Sequence, residues 1–238
     1  MLPVGDCNLE QYFVSAQNNL DTLSLLRSIF GCLANALQYL HDNSVRHRDI
    51  KPQNILVKDH QVFLADFGIA FDWEHLPRGT TTSDSPKTLM YAAPEVVHVE
   101  EKSDPADVWS LGCVFLEMVT VLKGKTVEDM RQSFKSRSRS PFYHANIDGI
   151  GRWVEILRQV GGSWDNAVLE WVTVMLRRDP TKRHTAAKLF EIIASESRIS
   201  GVVFNGTCCR DDGMGGGGGD DTADEEDDED LWEDVSDE

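Results

Sequence analysis

The residues with the most chemical potential sit in one short stretch, His47-Arg48-Asp49-Ile50-Lys51-Pro52-Gln53-Asn54. Asp49 offers a carboxylate, Lys51 an ammonium two positions on, and Asn54 a carboxamide three beyond that. Asp66-Phe67-Gly68 adds a second carboxylate seventeen residues after Asp49. A carboxylate can accept a proton from a hydroxyl, and an ammonium can offset the charge of an anion. Carboxylate and amide oxygens are donors suited to a hard divalent cation. The combination fits acid–base chemistry beside a charged group.

A cluster of this kind needs rigid elements on either side. Upstream, Leu25, Leu26, Ile29, Phe30, Leu33, Ala36, Leu37 and Leu40 recur at three- and four-residue spacing. This predicts an amphipathic helix entered near Asp21 or Thr22 and ending before Asp42-Asn43. Downstream, the apolar runs 54–57 and 61–64, separated by Lys58-Asp59-His60, predict a small hairpin leading into Asp66. Residues 71–88 are rich in Thr, Ser, Asp, Pro and Gly and read as loop. Residues 107–122 are apolar almost all round, the mark of a buried central helix. Residues 137–141 read as an exposed connection, and further helices are expected over 152–160, 166–176 and 186–194. No internal repeat is present.

Composition narrows the class. Of the 238 residues, 41% are hydrophobic and 26% charged, as in a soluble globular protein. The net charge of −17 is uneven: residues 211–238 hold 15 acidic and no basic residues, leaving 25 acidic against 23 basic before them. The body is nearly neutral, so bulk charge excludes a basic nucleic-acid binder. Residues 108–122, with Glu117 among them, are too short and polar to predict a membrane span. The N-terminus shows no secretory signal. Cys7, Cys32, Cys113, Cys208 and Cys209 have no zinc spacing and read as reduced thiols, which points to an intracellular protein, cytoplasmic or nuclear. Five glycines at 215–219 precede the acidic run. A globular part over 1–205 and a disordered Gly-rich acidic tail over 206–238 are expected, the tail being able to dock a basic protein partner.

Taken in order, His47-Arg48-Asp49 through Asn54, Asp66-Phe67-Gly68 and Ala93-Pro94-Glu95 resemble the catalytic core of eukaryotic-type Ser/Thr protein kinases. The resemblance implies an α+β, mainly α fold: the large C-terminal lobe of a protein kinase with a short β-hairpin. It implies ATP and Mg2+ as cofactors and a protein substrate with a Ser or Thr acceptor, with no nucleic acid and no membrane. By the same match Asp49 is the catalytic carboxylate that accepts the hydroxyl proton, and Lys51 lies near the γ-phosphate. Asn54 and Asp66 are the Mg2+ ligands.

The resemblance also assigns supports. Arg48 matches the arginine that receives an activation-loop phosphate, with Thr80, Thr81, Thr82, Ser83 and Ser85 as candidate acceptors and Thr88 facing substrate. Asp107 matches the residue that anchors the catalytic loop from behind, and Arg183 the partner of Glu95. Residues 1–9 resemble the hinge between lobes, so that Leu2 to Val4 face adenine, Asp6 or Asn8 the ribose, and Leu56 forms an apolar floor. Only 46 residues precede His47, and none forms a Gly-rich loop or supplies the strand lysine and helix glutamate of a small β lobe. The expectation is therefore a truncated kinase, absent its small lobe and of little activity by itself. The alternative is a non-catalytic kinase-like scaffold.

Overall fold

The computed structural model of the chain describes residues 5–16, 19–67, 71–72, 89–97, 103–206 and 209. Leu2, Val4, Gly68, the acceptor candidates at 80–85, Thr88 and the acidic residues 211–238 lie outside them. The described chain opens with β1 (Cys7–Asn8), α1 (Leu9–Ala16) and α2 (Leu20–Asp42). The predicted amphipathic helix is α2, but it starts earlier than its apolar spacing suggests. Asn19 caps it, accepting the amides of Asp21 and Thr22, which therefore lie inside the first turn. No reading of the apolar spacing predicted α1. Reciprocal bonds start it: Gln11 N–H to Asn8 Oδ1 at 2.9 Å and Asn8 N–H to Gln11 Oε1 at 3.0 Å.

Four short strands follow: β2 (Val45–Arg46), β3 (Ile55–Lys58), β4 (Gln61–Leu64) and β5 (Phe71–Asp72). β1, β3 and β4 form an antiparallel sheet in that order, and β2 pairs with β5. The hairpin loop is two residues, Asp59 and His60, not three. Both have positive φ (46° and 64°), the primed turn whose twist matches the flanking strands.

The rest is helical: α3 (Pro94–Val97), α4 (Asp104–Leu122), α5 (Val127–Ser138), α6 (Ile147–Gln159), α7 (Asn166–Met175) and α8 (Ala186–Ser200). α4 begins three residues before the expected start, because Asp104 and Pro105 suit a first helical turn. α5 was not predicted, and it absorbs part of the expected connection at 137–141. Its sequence is polar, but a Thr126–Asp129 capping box starts it and Met130 and Phe134 bury at four-residue spacing.

The core lies where α4 packs on α2 and α7, with α8 also packed on α2. Phe30, Phe115, Trp171 and Phe204 meet there edge to face. Gly112 permits the α4–α7 crossing: a Cβ would lie 2.8 Å from that of Met175. By length and composition α2 and α4 could each cross a membrane, contrary to the expectation from residues 108–122. For α4 the cause of the apolarity is the core, since 83% of its apolar window is buried inside the protein.

Glu117 of α4 is a carboxyl group buried within that core. Glu117 Oε1 accepts from Tyr143 Oη at 2.6 Å, Tyr91 Oη at 3.0 Å and Arg131 Nη2 at 3.0 Å. Burial raises its pKa above the ordinary carboxylate value, and the arginine and the hydroxyls work against that rise. Glu117→Ala leaves two phenols and a guanidinium without their acceptor. It should cost roughly 3–5 kcal/mol, read as a lower urea midpoint, and Glu117→Gln should cost less because it keeps an acceptor.

Candidate active site

The segment 47–54 is clamped at both ends. β2 enters it, held by pairing with β5 and by Arg46 Nε to Asp104 Oδ1 at 2.7 Å. A 3-10 turn, Pro52–Asn54, leaves it directly into β3. Between them Arg48 has φ +68°, a conformation that bulky residues rarely adopt. The buried carboxylate of Asp107, in the first turn of α4, holds the chain there. Oδ2 accepts the His47 amide at 2.9 Å and Oδ1 the Arg48 amide at 2.9 Å. His41 Nε2, from the last turn of α2, lies 3.3 Å from Oδ2.

The side chains then converge. Lys51 Nζ is 2.6 Å from Asp49 Oδ2, and Asn54 Nδ2 donates to the same oxygen at 3.0 Å and to the Asp49 carbonyl at 2.9 Å. Asn54 is buried, and its main-chain carbonyl accepts the Ala65 amide at 2.8 Å. His47, fully buried, donates Nε2–H to the Ala65 carbonyl at 3.0 Å, and its ring meets that of Phe67 at 4.9 Å with a tilt of 44°. Ala65 is thus tied to both ends of the 47–54 segment. Asp66 follows it, exposed and with φ +63°, a conformation Asp tolerates better than most residues.

The floor lies on β3. Ile55 and Val57 face the core, and Leu56 faces the other way, opposite Phe63 on β4 and Asn8 on β1. Phe63 was read only as part of a hairpin, but its register against Leu56 extends the apolar surface. Asn8 carries a duty the sequence reading did not give it, since its Oδ1 caps α1. Asp6 is exposed beside the same strand, its amide bonded to the Val57 carbonyl at 3.0 Å. Leu2 and Val4 fall outside the described residues.

Further contacts brace the site. Glu95 of α3 forms a two-point pair with Arg183, 2.6 and 2.8 Å, with Arg183 stacked over Trp109 at 5.0 Å. Ser110 Oγ donates to the Tyr91 carbonyl at 3.0 Å, seating residues 89–97 against α4.

Residues 6–192 match the family described as the protein kinase domain. The chain belongs to the protein kinase family. It is 33% identical over 168 residues to cyclin-dependent kinase C-2 of Arabidopsis thaliana, which is 63% of this chain and 32% of that protein. It is 32% identical over 185 residues to cell division control protein 2 homolog 3 of Trypanosoma brucei brucei, 69% of this chain and 58% of that protein. The chain therefore spans about a third to three fifths of these relatives. The match supports the Ser/Thr class and the mainly α large-lobe fold. Kinases of this family use ATP and Mg2+ and act on proteins.

The donors present fit such a cation. With Asn54 Nδ2 engaged by Asp49, only Asn54 Oδ1 is left to offer an incoming ligand, and Asp66 is one residue from the amide that Asn54 binds. Two hard oxygen donors are few for a metal cage. They suit Mg2+, which keeps water and substrate phosphate in its shell.

Asp107→Ala removes the acceptor of two consecutive amides, and each orphaned donor costs about 1–3 kcal/mol. Hydrogen exchange at His47 and Arg48 should rise at least about tenfold, and Asp107→Asn should fall between it and the parent. Burial keeps the His47 pKa below the ordinary imidazole value, so the folded protein holds it neutral. The unfolded imidazole takes up a proton near pH 6.5, so stability should fall as pH drops below about 6.5. That slope, measured by urea unfolding, should be shallower in His47→Gln.

Proposed function

We propose that this chain provides the large-lobe half of a Mg·ATP-dependent Ser/Thr protein kinase site. The observation that carries the reading is the convergence of Lys51 and Asn54 on one oxygen of Asp49, with Asp66 tied to the same cluster through Ala65. Asp49 Oδ2 takes two donors, which fixes the carboxylate and leaves Oδ1 to orient a Ser or Thr hydroxyl and accept its proton. Lys51 offsets charge on the transferred phosphoryl group. Asn54 Oδ1 and Asp66 hold Mg2+, which when bound neutralises phosphate charge and aligns the phosphates. Leu56, with Phe63 beside it, forms the apolar floor beneath adenine, and Asp6 or Asn8 meets the ribose. Leu2 and Val4 retain the role of offering main-chain groups to the base.

Phosphoryl transfer is mainly positioning and electrostatic stabilisation in a water-excluded site. The described residues supply a floor and one wall for the nucleotide. A cover with its own cation would have to close over them for efficient turnover. The purified 238-residue chain should therefore show a Mg2+-dependent rise in unfolding midpoint with ADP or ATP but little transfer to a generic protein substrate. Asp66→Ala should lose the Mg2+-dependent part of that shift. A shift unchanged in Asp66→Ala would sink the metal assignment, and robust turnover by the chain alone would sink the need for a cover.

A further inference from the structure

The C-terminal end of the described chain runs back along α2. Gly31 donates its amide to the Phe204 carbonyl at 2.8 Å, and a Cβ on Gly31 would lie 1.6 Å from Asn205 Oδ1. Only glycine admits the strap at that point. Phe204 is fully buried against Trp171 and Phe30, so the strap is anchored in the core.

This anchoring brings together two cysteines 177 positions apart. Cys32 Sγ accepts the Gly206 amide at 3.2 Å. Asn35, one turn further along α2, donates Nδ2 to Cys209 Sγ at 3.4 Å. The Cys209 amide closes back on the Gly206 carbonyl at 3.0 Å. Cys32 and Asn35 lie three apart on one helix face, where Cβ atoms are about 5–6 Å from each other. Each meets one end of the Gly206–Cys209 contact, Cys32 through the Gly206 amide and Asn35 through the Cys209 sulfur. Cys32 is the inner, buried thiol and Cys209 the outer, half-buried one.

We propose that Cys32 and Cys209 are a redox-responsive pair that a low-molecular-weight disulfide, such as oxidised glutathione, converts to an internal disulfide. The Cys209 thiolate attacks one glutathione sulfur, forming a mixed disulfide and releasing one glutathione thiolate. The Cys32 thiolate then attacks the Cys209 sulfur, forming the internal bond and releasing the second glutathione. Two thiol protons leave the protein, and its two electrons reduce one oxidised glutathione to two reduced molecules. The bond fixes the strap to α2. The same helix carries His41 against Asp107, so the latch also stiffens the element behind the catalytic loop.

The test needs no kinase activity, so its outcome is separate from that of the proposed function. The full chain is incubated with oxidised glutathione and its peptides are mapped without reduction. A Cys32–Cys209 peptide pair lacking two hydrogens should appear. It should persist in Cys208→Ser and vanish in Cys209→Ser. The unfolding midpoint should rise by roughly 5–10 °C and return on reduction. Cys113, wholly buried with its thiol pKa pushed well above the ordinary value, should stay unreacted and report an intact fold. A Cys32–Cys208 pair, an unresolved glutathione adduct on Cys209, or a cross-link that leaves the midpoint unchanged would overturn the proposal.

Discussion

Asp107 reaches from α4 to the amides of His47 and Arg48, and those two hydrogen bonds let the chain turn with Arg48 in a left-handed conformation. Such a residue is disfavoured by about 1–2 kcal/mol. Hydrogen bonds to a charged acceptor contribute about 1.5–3 kcal/mol each, so the carboxylate outweighs the strain. The turn at Arg48 is what directs Asp49 and Lys51 to the same side as Asn54. α4 itself is held by burial along nearly its whole length, so the carboxylate is presented from an immobile support.

The same helix uses further polar contacts to fix other segments. Glu117 gathers Tyr91, Tyr143 and Arg131, and Ser110 takes the Tyr91 carbonyl. The Pro105 carbonyl joins Glu95 in holding Arg183. Buried charges of this kind add little net stability over apolar replacements, because desolvation offsets much of their attraction. Their contribution is geometric. Each is satisfied by partners from other segments of the chain, so these segments cannot shift independently without orphaning a buried charge.

How much of this was legible in the sequence follows from the range of each interaction. Asp49, Lys51, Asn54 and Asp66 are close in sequence, and their spacing could be read directly. Asp107 and the Glu95–Arg183 pair were reachable only through resemblance, since nothing local distinguishes them from a helix cap and a surface charge. The acceptor role of Glu117 was not legible, because its three donors lie 14 to 26 residues away on separate elements. The start of α2 was misplaced because a cap decided it. Asn19 and the Asn8–Gln11 exchange are side-chain events that apolar periodicity does not register. α5 escaped for a related reason, its two buried anchors being few among charged residues.

Asp49 connects the geometry to the proposed chemistry. Its Oδ2 binds both Lys51 and Asn54, but the two donors differ in freedom. Asn54 is a buried side chain on a short helical turn, held also by the Asp49 carbonyl, so its bond persists. Lys51 is a flexible ammonium, and a phosphoryl group, carrying more charge than one carboxylate, competes for it. On the proposed reading, a phosphate that draws Lys51 toward itself leaves Asp49 oriented by Asn54 alone and less neutralised. Asp49 is then a stronger hydrogen-bond acceptor for a hydroxyl. One side-chain movement thus couples arrival of the anion to readiness of the base, and it requires no displacement of the backbone that Asp107 holds.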